Sequence, residues 1–458
     1  MTAPNEAATL TLTERISALP VARIYGRLTK MTGLVLEASG CQLAVGDRCR
    51  IESRREQRCI EAEVVGFHDS IHFLMSLGNA NGLQPGDRVL PLGHDMAIPV
   101  GNNFLGRVIN GLAEPLDNHG TIRPDETIPL NSSPINPLHR KPITEPLDVG
   151  VRAINGLLSV GKGQRLGLMA GSGVGKSVLL SMMTRNTTAD ITVVGMIGER
   201  GREVKEFIEH TLGPEGLART VVIAAPADES PVMRLRAALL CHRMAEYYRD
   251  QGQDVLLLMD SLTRYAQAQR EIALSVGEPP ATRGYTPSVF SQIPKLVERA
   301  GNGVEGSGSI TAFYTVLSEG DDLQDPVADS ARSILDGHIV LSRELADSGH
   351  YPAIDIESSI SRAMPQVADE TQQQAVQVFR HYYSRYHQFR DMIAIGAYQR
   401  GADPELDRAI QLYPLMQGYL KQGMYERIDH ASCIQQLYSL WQGGATPAPT
   451  HGNDTEVT

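Results

Sequence analysis

Residues 170 to 177 read AGSGVGKS, between the apolar run GLMA and the helix-like run VLLSMM. Small residues let the backbone of Gly171, Ser172, Gly173, Val174 and Gly175 curl until several N–H groups point inward, at the positive end of the helix that follows. A phosphate fits such a cradle. Lys176 can then reach the outer phosphates, the Ser177 hydroxyl can bind magnesium, and Val178 opens the helix beside them. Ala170 stands where the strict pattern has Gly, which leaves the inner turn glycine-rich. Hydrolysis of a nucleoside triphosphate needs three more groups: a further magnesium ligand, a carboxylate to orient water, and cations for the charge of the transition state. Asp260 ends the apolar run DVLLLMD and suits magnesium, directly or through water. Glu199 closes ITVVGMIGE, where an adjacent strand aims its carboxylate toward the γ-phosphate, so it is the candidate for polarising the attacking water. Arg200, Arg202 and Arg264 are the neighbouring cations, with plain surface charge as the alternative reading. Far downstream, in HYPAIDIESSISR, Tyr351 can stack on a base and Arg362 can act as a finger inserted into another subunit's site. A Tyr-Pro turn and a solvated arginine are the alternatives there.

These residues require a layered α/β core to hold them. Between about Leu166 and Leu345 the runs QRLGLMA, ITVVGMIG, TVVIAAPA, DVLLLMD, SITAFYTVL and HIVLSREL are apolar at nearly every position. Strands of a mostly parallel sheet covered by helices on both faces read this way. Ser230 and Pro231 cap a helix that carries Val232, Leu235 and Leu239 on one face. Upstream, short β-type stretches from Ile24 to Leu92, with the turn GDR at Gly46 and again at Gly86, predict a small β-barrel. A Pro- and Asn-rich connector from Pro129 to Asp148 argues against regular structure. Downstream of Pro365 the pattern is helical. Phe379, Tyr382, Tyr386 and Phe389 fall on one stripe beside Arg380, Arg385 and Arg390, better read as core packing than as a nucleic-acid platform. GNGVEGSGS, residues 301–309, reads as a turn before SITAFYTVL. The predicted organisation is an N-terminal segment over 1–22, a β-barrel over 23–96, a RecA-like α/β phosphate-loop ATPase domain over 97–365, a C-terminal helical domain over 366–441 and a disordered tail over 442–458.

Composition narrows the class further. The chain has 458 residues and a formal net charge of -11, with a pI of about 5.7. An acidic average disfavours a general nucleic-acid surface. The five cysteines, Cys41, Cys49, Cys59, Cys241 and Cys433, are scattered without metal-site spacing and read as reduced thiols. No apolar run approaches the ~18 residues of a membrane span, and the leader MTAPNEAATLTLTE lacks signal-peptide regions, so a cytoplasmic chain is expected.

PAIDIESSIS, residues 352–361, resembles the signature shared by rotary ATP synthase α and β subunits. GERGREVKEFIE, MDSLTRYAQAQREIALSVGEPPATRGYTPSVF and EGDDLQDPVADSARSILDGHIVLSR resemble the export ATPases of that superfamily, in family order from about Arg23 to Trp441. Within the group the chain most resembles the flagellum-specific ATPases; Ala281 and Thr282 separate it from many virulence type III secretion ATPases. The resemblance implies an Mg2+-dependent, protein-secreting ATPase of the translocase class. It places Lys176 and Ser177 on the phosphate loop, Asp260 at the magnesium site with Glu203 behind it, and Glu199 on the catalytic glutamate. Arg200 and Arg264 fall near the phosphates, Tyr351 on the adenine-stacking tyrosine, and Arg362 on the arginine finger. A C-terminal aromatic should close the adenine pocket, Tyr419 or Tyr425. A finger that acts across an interface implies a ring, here a homohexamer. The expected partners are a stator-like regulator dimer at the N-terminus, where Leu12, Ile16 and Leu19 form an apolar face, a coiled-coil central stalk, export chaperones with cargo, and a membrane export gate. The implied location is the cytoplasmic face of the inner membrane beneath the flagellar base. A virulence secretion ATPase and, further off, an RNA translocase with the same core are the alternatives.

Overall fold

The computed structural model describes residues 24–442 except 54, 56, 94–96 and 318–324. The N-terminal apolar face and the tail beyond 442 lie outside the described residues. The chain divides into two compact units, Met1–Met96 and Ala97–Thr458.

The first unit is a closed barrel of six strands: β1 (Gly26–Thr32), β2 (Val35–Ser39), β3 (Arg48–Ser53), β4 (Arg58–His68), β5 (Ile71–Ser76) and β6 (Arg88–Gly93), in the order β1-β2-β5-β4-β3-β6 with β6 returning to β1. Closure removes the open sheet edges. Alternate residues point inward, so Leu28, Leu36, Ile51, Val64, Leu74 and Val89 make the core. The repeated GDR is a structural device. Gly46 and Gly86 sit at φ +89° and +90°, and the buried carboxylates of Asp47 and Asp87 accept the N–H of Ala44 and Gln84 at 2.7 and 2.9 Å, closing the turn before each strand.

The second unit is built on a nine-stranded sheet. Its strands are β7 (Val108–Ile109), β8 (Arg165–Ala170), β9 (Ile191–Ile197), β10 (Thr220–Ala225), β11 (Asp254–Asp260), β12 (Gly301–Asn302), β13 (Ser309–Leu317), β14 (Gly337–Leu341) and β15 (Ile354–Ser361). The order is β15-β14-β8-β13-β11-β9-β10-β7, with β12 paired to β13. β7 through β14 run parallel apart from β12, and β15 closes one edge antiparallel to β14. Every residue of β9 and β10 is buried, because helices cover both faces. The stretch 301–309 is a tight turn between β12 and β13, with the N–H of Gly303 on the carbonyl of Gly308.

Helix α4 (Pro231–Asp250) starts as its cap predicts, the Ser230 hydroxyl accepting the N–H of Met233 at 3.2 Å. Its buried face differs from the expected one. Met233, Ala237, Leu240, Cys241 and Met244 are buried, whereas Leu235 and Leu239 are half-buried, since this helix is packed on most of its circumference. The C-terminal helices α7 (Glu370–Ala394), α8 (Pro404–Leu420) and α9 (His430–Gln442) share one core with the sheet. Phe379 is buried with Tyr383, one position away from the expected Tyr382, and Tyr386 stacks on Tyr413 with ring centres 3.6 Å apart. The arginines of this stripe are engaged within the fold: Arg380 donates to the Ser359 carbonyl, Arg385 pairs with Asp403 and Arg390 with Glu344. Among the described residues no helix is long and apolar enough to cross a membrane.

Candidate nucleotide site

Four parallel strands end together. The register sets Met196 of β9 beside Asp260 of β11, and Ala170 of β8 beside Leu317 of β13. Beyond those ends lies a cavity of about 900 Å³, at the carboxyl edge of the sheet where open α/β folds take their ligands. Gly171, Ser172, Gly173, Gly175, Lys176, Ser177 and Val178 line one side of it, and Glu199, Arg200, Glu203 and Arg264 the other. Val174 turns away into the core.

The loop turns at Gly173 and Gly175, whose φ values of +81° and +90° only glycine takes without strain. Helix α2 (Lys176–Asn186) then begins at the lysine, so its first N–H groups face the cavity. Lys176 Nζ lies 2.6 Å from Asp260 Oδ1 and 3.6 Å from Glu199 Oε1. Burial opposes the ammonium charge, but the Asp260 and Glu199 carboxylates outweigh it and hold the group above its ordinary range. Asp260, only 2% exposed, also accepts the Thr315 hydroxyl at 2.6 Å.

Glu199 is held differently. It is 7% exposed, and its Oε1 is buried without a hydrogen bond. Burial, then the charge of Asp260, push its carboxyl up to about 7, against the pull of Lys176; Glu203 adds to the rise. An acceptor buried in that way is suited to a ligand that brings its own donor. Magnesium also fits this set: the Asp260 carboxylate is an oxygen donor 2.6 Å from Lys176, and Ser177 lines the cavity beside that lysine. Such an ion keeps waters and substrate phosphates as its other ligands.

The expected cations separate into distinct environments. Arg264, on helix α5 (Leu262–Ser275), donates through Nη1 to Gln267 Oε1 at 2.8 Å, and its Nε is buried without a partner. Arg200 is 85% exposed at the cavity rim, 3.8 Å from Glu203, which leaves it free to swing; Arg202 pairs with Glu206. Tyr351 lies over the end of the phosphate loop, where a Cβ on Gly175 would come 3.4 Å from its ring. Tyr419 and Tyr425, equivalent in the sequence, are not equivalent here. Tyr419 is core, its hydroxyl donating to the Cys433 carbonyl, while Tyr425 is 74% exposed beside Arg185 of α2.

Arg362 is not at the cavity. β15 runs antiparallel to β14, with Ile354 opposite Leu341 and Ser361 opposite Gly337. Tyr351 therefore precedes the end of β15 near the phosphate loop, and Arg362 follows the other end, roughly 25 Å away at 3.3 Å per residue. There its side chain is exposed, with Nη1 donating to the Leu335 carbonyl at 3.4 Å.

Several residues at or behind the site escaped the sequence reading, four of them with definite contacts or positions here. Gly198 sits at φ +71°, and a Cβ there would lie 2.7 Å from Arg264 Cβ. Thr315 was hidden in SITAFYTVL, where it is one of several hydroxyl-bearing residues and nothing in the sequence sets it apart. Gln267 and Arg343, which also line the cavity, carried none.

Comparison with known proteins bears on this geometry. Residues 150–361 match the nucleotide-binding domain of the ATP synthase alpha/beta family, and residues 368–439 the T3SS EscN ATPase C-terminal domain. The flagellum-specific ATP synthase of Pseudomonas aeruginosa is 60% identical over 434 residues, covering 94% of this chain and 96% of its own, and that of Salmonella typhimurium is 58% identical over 92% and 95%. The type 3 secretion system ATPase of Xanthomonas euvesicatoria is 44% identical, over 94% and 97%. The structure of the assembled ATPase EscN from the type III secretion system of enteropathogenic E. coli superposes with a TM-score of 0.86 at 40% identity, over 91% of this chain and 99% of that one. EscN is also known in complex with its central stalk EscO, with a TM-score of 0.82.

Proposed function

The chain belongs to the flagellum-specific ATP synthase family, within the ATP synthase alpha/beta group, and from that premise we propose that it hydrolyses ATP as a homohexameric ring that energises flagellar type III protein export. The observation that carries the chemistry is the buried, unbonded Glu199 oxygen 3.6 Å from Lys176, inside the phosphate-loop cavity. The phosphate loop and the start of α2 bind the triphosphate, and Lys176 neutralises its outer charge by exchanging Asp260 for the phosphate. Magnesium, held by Ser177 and Asp260 with Glu203 behind, supplies charge neutralisation at the phosphates when bound. Glu199 accepts a proton from the attacking water, which requires the carboxylate form. Arg264 and the swinging Arg200 meet the developing charge, and Tyr351 stacks on the base. Arg362 of an adjacent subunit supplies the finger, because its own cavity is out of reach. The ring alternates between closed, ATP-bound interfaces and open ones, so chaperones and cargo are released and the membrane gate is activated. The regulator dimer, the coiled-coil stalk and a position at the cytoplasmic face of the inner membrane complete this reading.

Identity favours the flagellar branch, 60% against 44% for the virulence-type relative. The alternative reading, a virulence secretion ATPase, rests on the 40% likeness to EscN. A chromosomal Glu199→Gln replacement separates them. Loss of filaments and swimming with effector secretion intact is the expected result; intact filaments with lost effectors moves the protein to the virulence branch, and no defect in either overturns export altogether.

A further inference from the structure

A second cavity, of about 570 Å³, lies in the same unit as the nucleotide cavity and shares no lining residue with it among the described residues. Four elements wall it: the Pro- and Asn-rich connector, α4, α5, and α6 (Pro287–Val297) with the residues just past its end. Ile135, Leu239 and Leu296 give it apolar surface, and its size suits a small organic ligand.

Most of its charges are matched. Glu246 is held by Arg299 at 2.7 Å and by Arg243 at 3.1 Å, Arg249 pairs with Asp250 at 2.8 Å, and Glu298 pairs with Arg165 at 2.6 Å. Two lining cations, Arg140 and Lys295, pair with no carboxylate among the described residues. Arg140 donates instead to main chain, Nη1 to the Ala300 carbonyl and Nη2 to that of Glu298, both at 2.7 Å. Such bonds fix a guanidinium without neutralising it. Burial, then the charges of Arg249 and Arg165, lower its pKa from the ordinary arginine value, against the pull of Glu298 and Glu246. Lys295 is exposed. Tyr265, on α5, is only 5% exposed, yet its hydroxyl makes no hydrogen bond among the described residues. Burial pushes that phenol up to about 12, so it remains a donor at neutral pH. Helix α5 thus serves two cavities, with Arg264 and Gln267 lining the first and Tyr265 the second.

We infer that this second cavity binds a phosphate monoester with an apolar body, its dianionic head met by Arg140, Lys295 and the Tyr265 hydroxyl. Two cations without counter-charge match a dianion. A partly desolvated guanidinium gains more from an incoming anion than one in open water does, and an unpartnered hydroxyl gains a hydrogen bond. The apolar wall supplies the remainder by leaving water.

The test is calorimetry on the full-length protein with Mg2+ and ADP filling the nucleotide cavity. The probes are 1-naphthyl phosphate, 1-naphthol, which keeps the body without the charge, and inorganic phosphate, which keeps the charge without the body. The ester should bind with a Kd below about 1 mM, and each of the other two at least about tenfold more weakly. Tyr265→Phe keeps the ring and removes only an unbonded hydroxyl, and Lys295→Gln changes an exposed side chain. Each should weaken the ester about threefold to tenfold and leave ADP affinity within about twofold. A Kd for the ester above about 1 mM overturns the inference, as does naphthol or inorganic phosphate binding as tightly as the ester. Wild-type affinity for the ester in both variants overturns it too, because the ester then sits elsewhere. Failure of ADP to bind removes the nucleotide reading instead, and the ester titrations still decide this site.

Discussion

Glu199 holds a carboxyl where a charged group is poorly solvated, and two measurable consequences follow. Its folded value of about 7 lies above the ordinary 4.5, so the base form appears only as pH rises through 7. kcat/KM for ATP should therefore fall about tenfold per pH unit below 7; a steady-state profile flat down to pH 5.5 would remove Glu199 as the base. Glu199→Gln should keep nucleotide binding and lower kcat by about 10²–10⁴. The same shift makes a stability statement. Between pH 4.5 and 7 the folded chain keeps a proton that the unfolded chain has released, so this group's contribution falls as pH rises through that window and is fully unfavourable above 7. At pH 8 Glu199→Gln should melt higher than wild type, by roughly 1 °C for each kcal/mol relieved in a unit of this length. Below pH 4.5 the gain should vanish, which differential scanning calorimetry across pH can check.

The elements place these side chains by register, and register decides how far the sequence can be read. The barrel, the mostly parallel sheet and the helical end were legible because alternation, continuous apolar runs and 3.6-residue periodicity each encode burial directly. Lys176, Ser177, Glu199 and Asp260 were legible as candidates for a related reason: each stands at, or a few residues past, the carboxyl end of an apolar strand, and parallel strands end on one side. The separation of Tyr419 from Tyr425 was not legible, since both lie in one polar-flanked stretch and only packing against Phe379 and Arg185 tells them apart. Nor was the buried face of α4, because a helix packed nearly all round has no single apolar stripe. Gly198 shows the same limit at the site. Its need for glycine comes from Arg264, sixty-six positions away, so Gly198→Ala should displace that guanidinium, destabilise the chain by about 1–3 kcal/mol and raise KM for ATP. Denaturant melts together with ATPase kinetics would read both effects, and unchanged kinetics would show that Arg264 does not touch the phosphates.

At the scale of the whole molecule, the proposed finger role of Arg362 in an adjacent subunit would make each subunit half of two sites. Mixed rings test this directly. Lys176→Ala and Arg362→Ala proteins should each be inactive alone, yet co-assembled rings should recover part of the ATPase rate, because some interfaces then pair an intact lysine with an intact arginine. No recovery on mixing would mean that Arg362 serves its own chain or none. β15 gives this arrangement a further property. In the proposed ring, this one strand, with Tyr351 before one end and Arg362 after the other, would link two successive sites through chemically different ends. A circle of such links has a handedness around its circumference, as arrows laid head to tail do. Every interface of such a ring would present the same two unlike faces in the same order, so the ring's two rotational senses are structurally distinct.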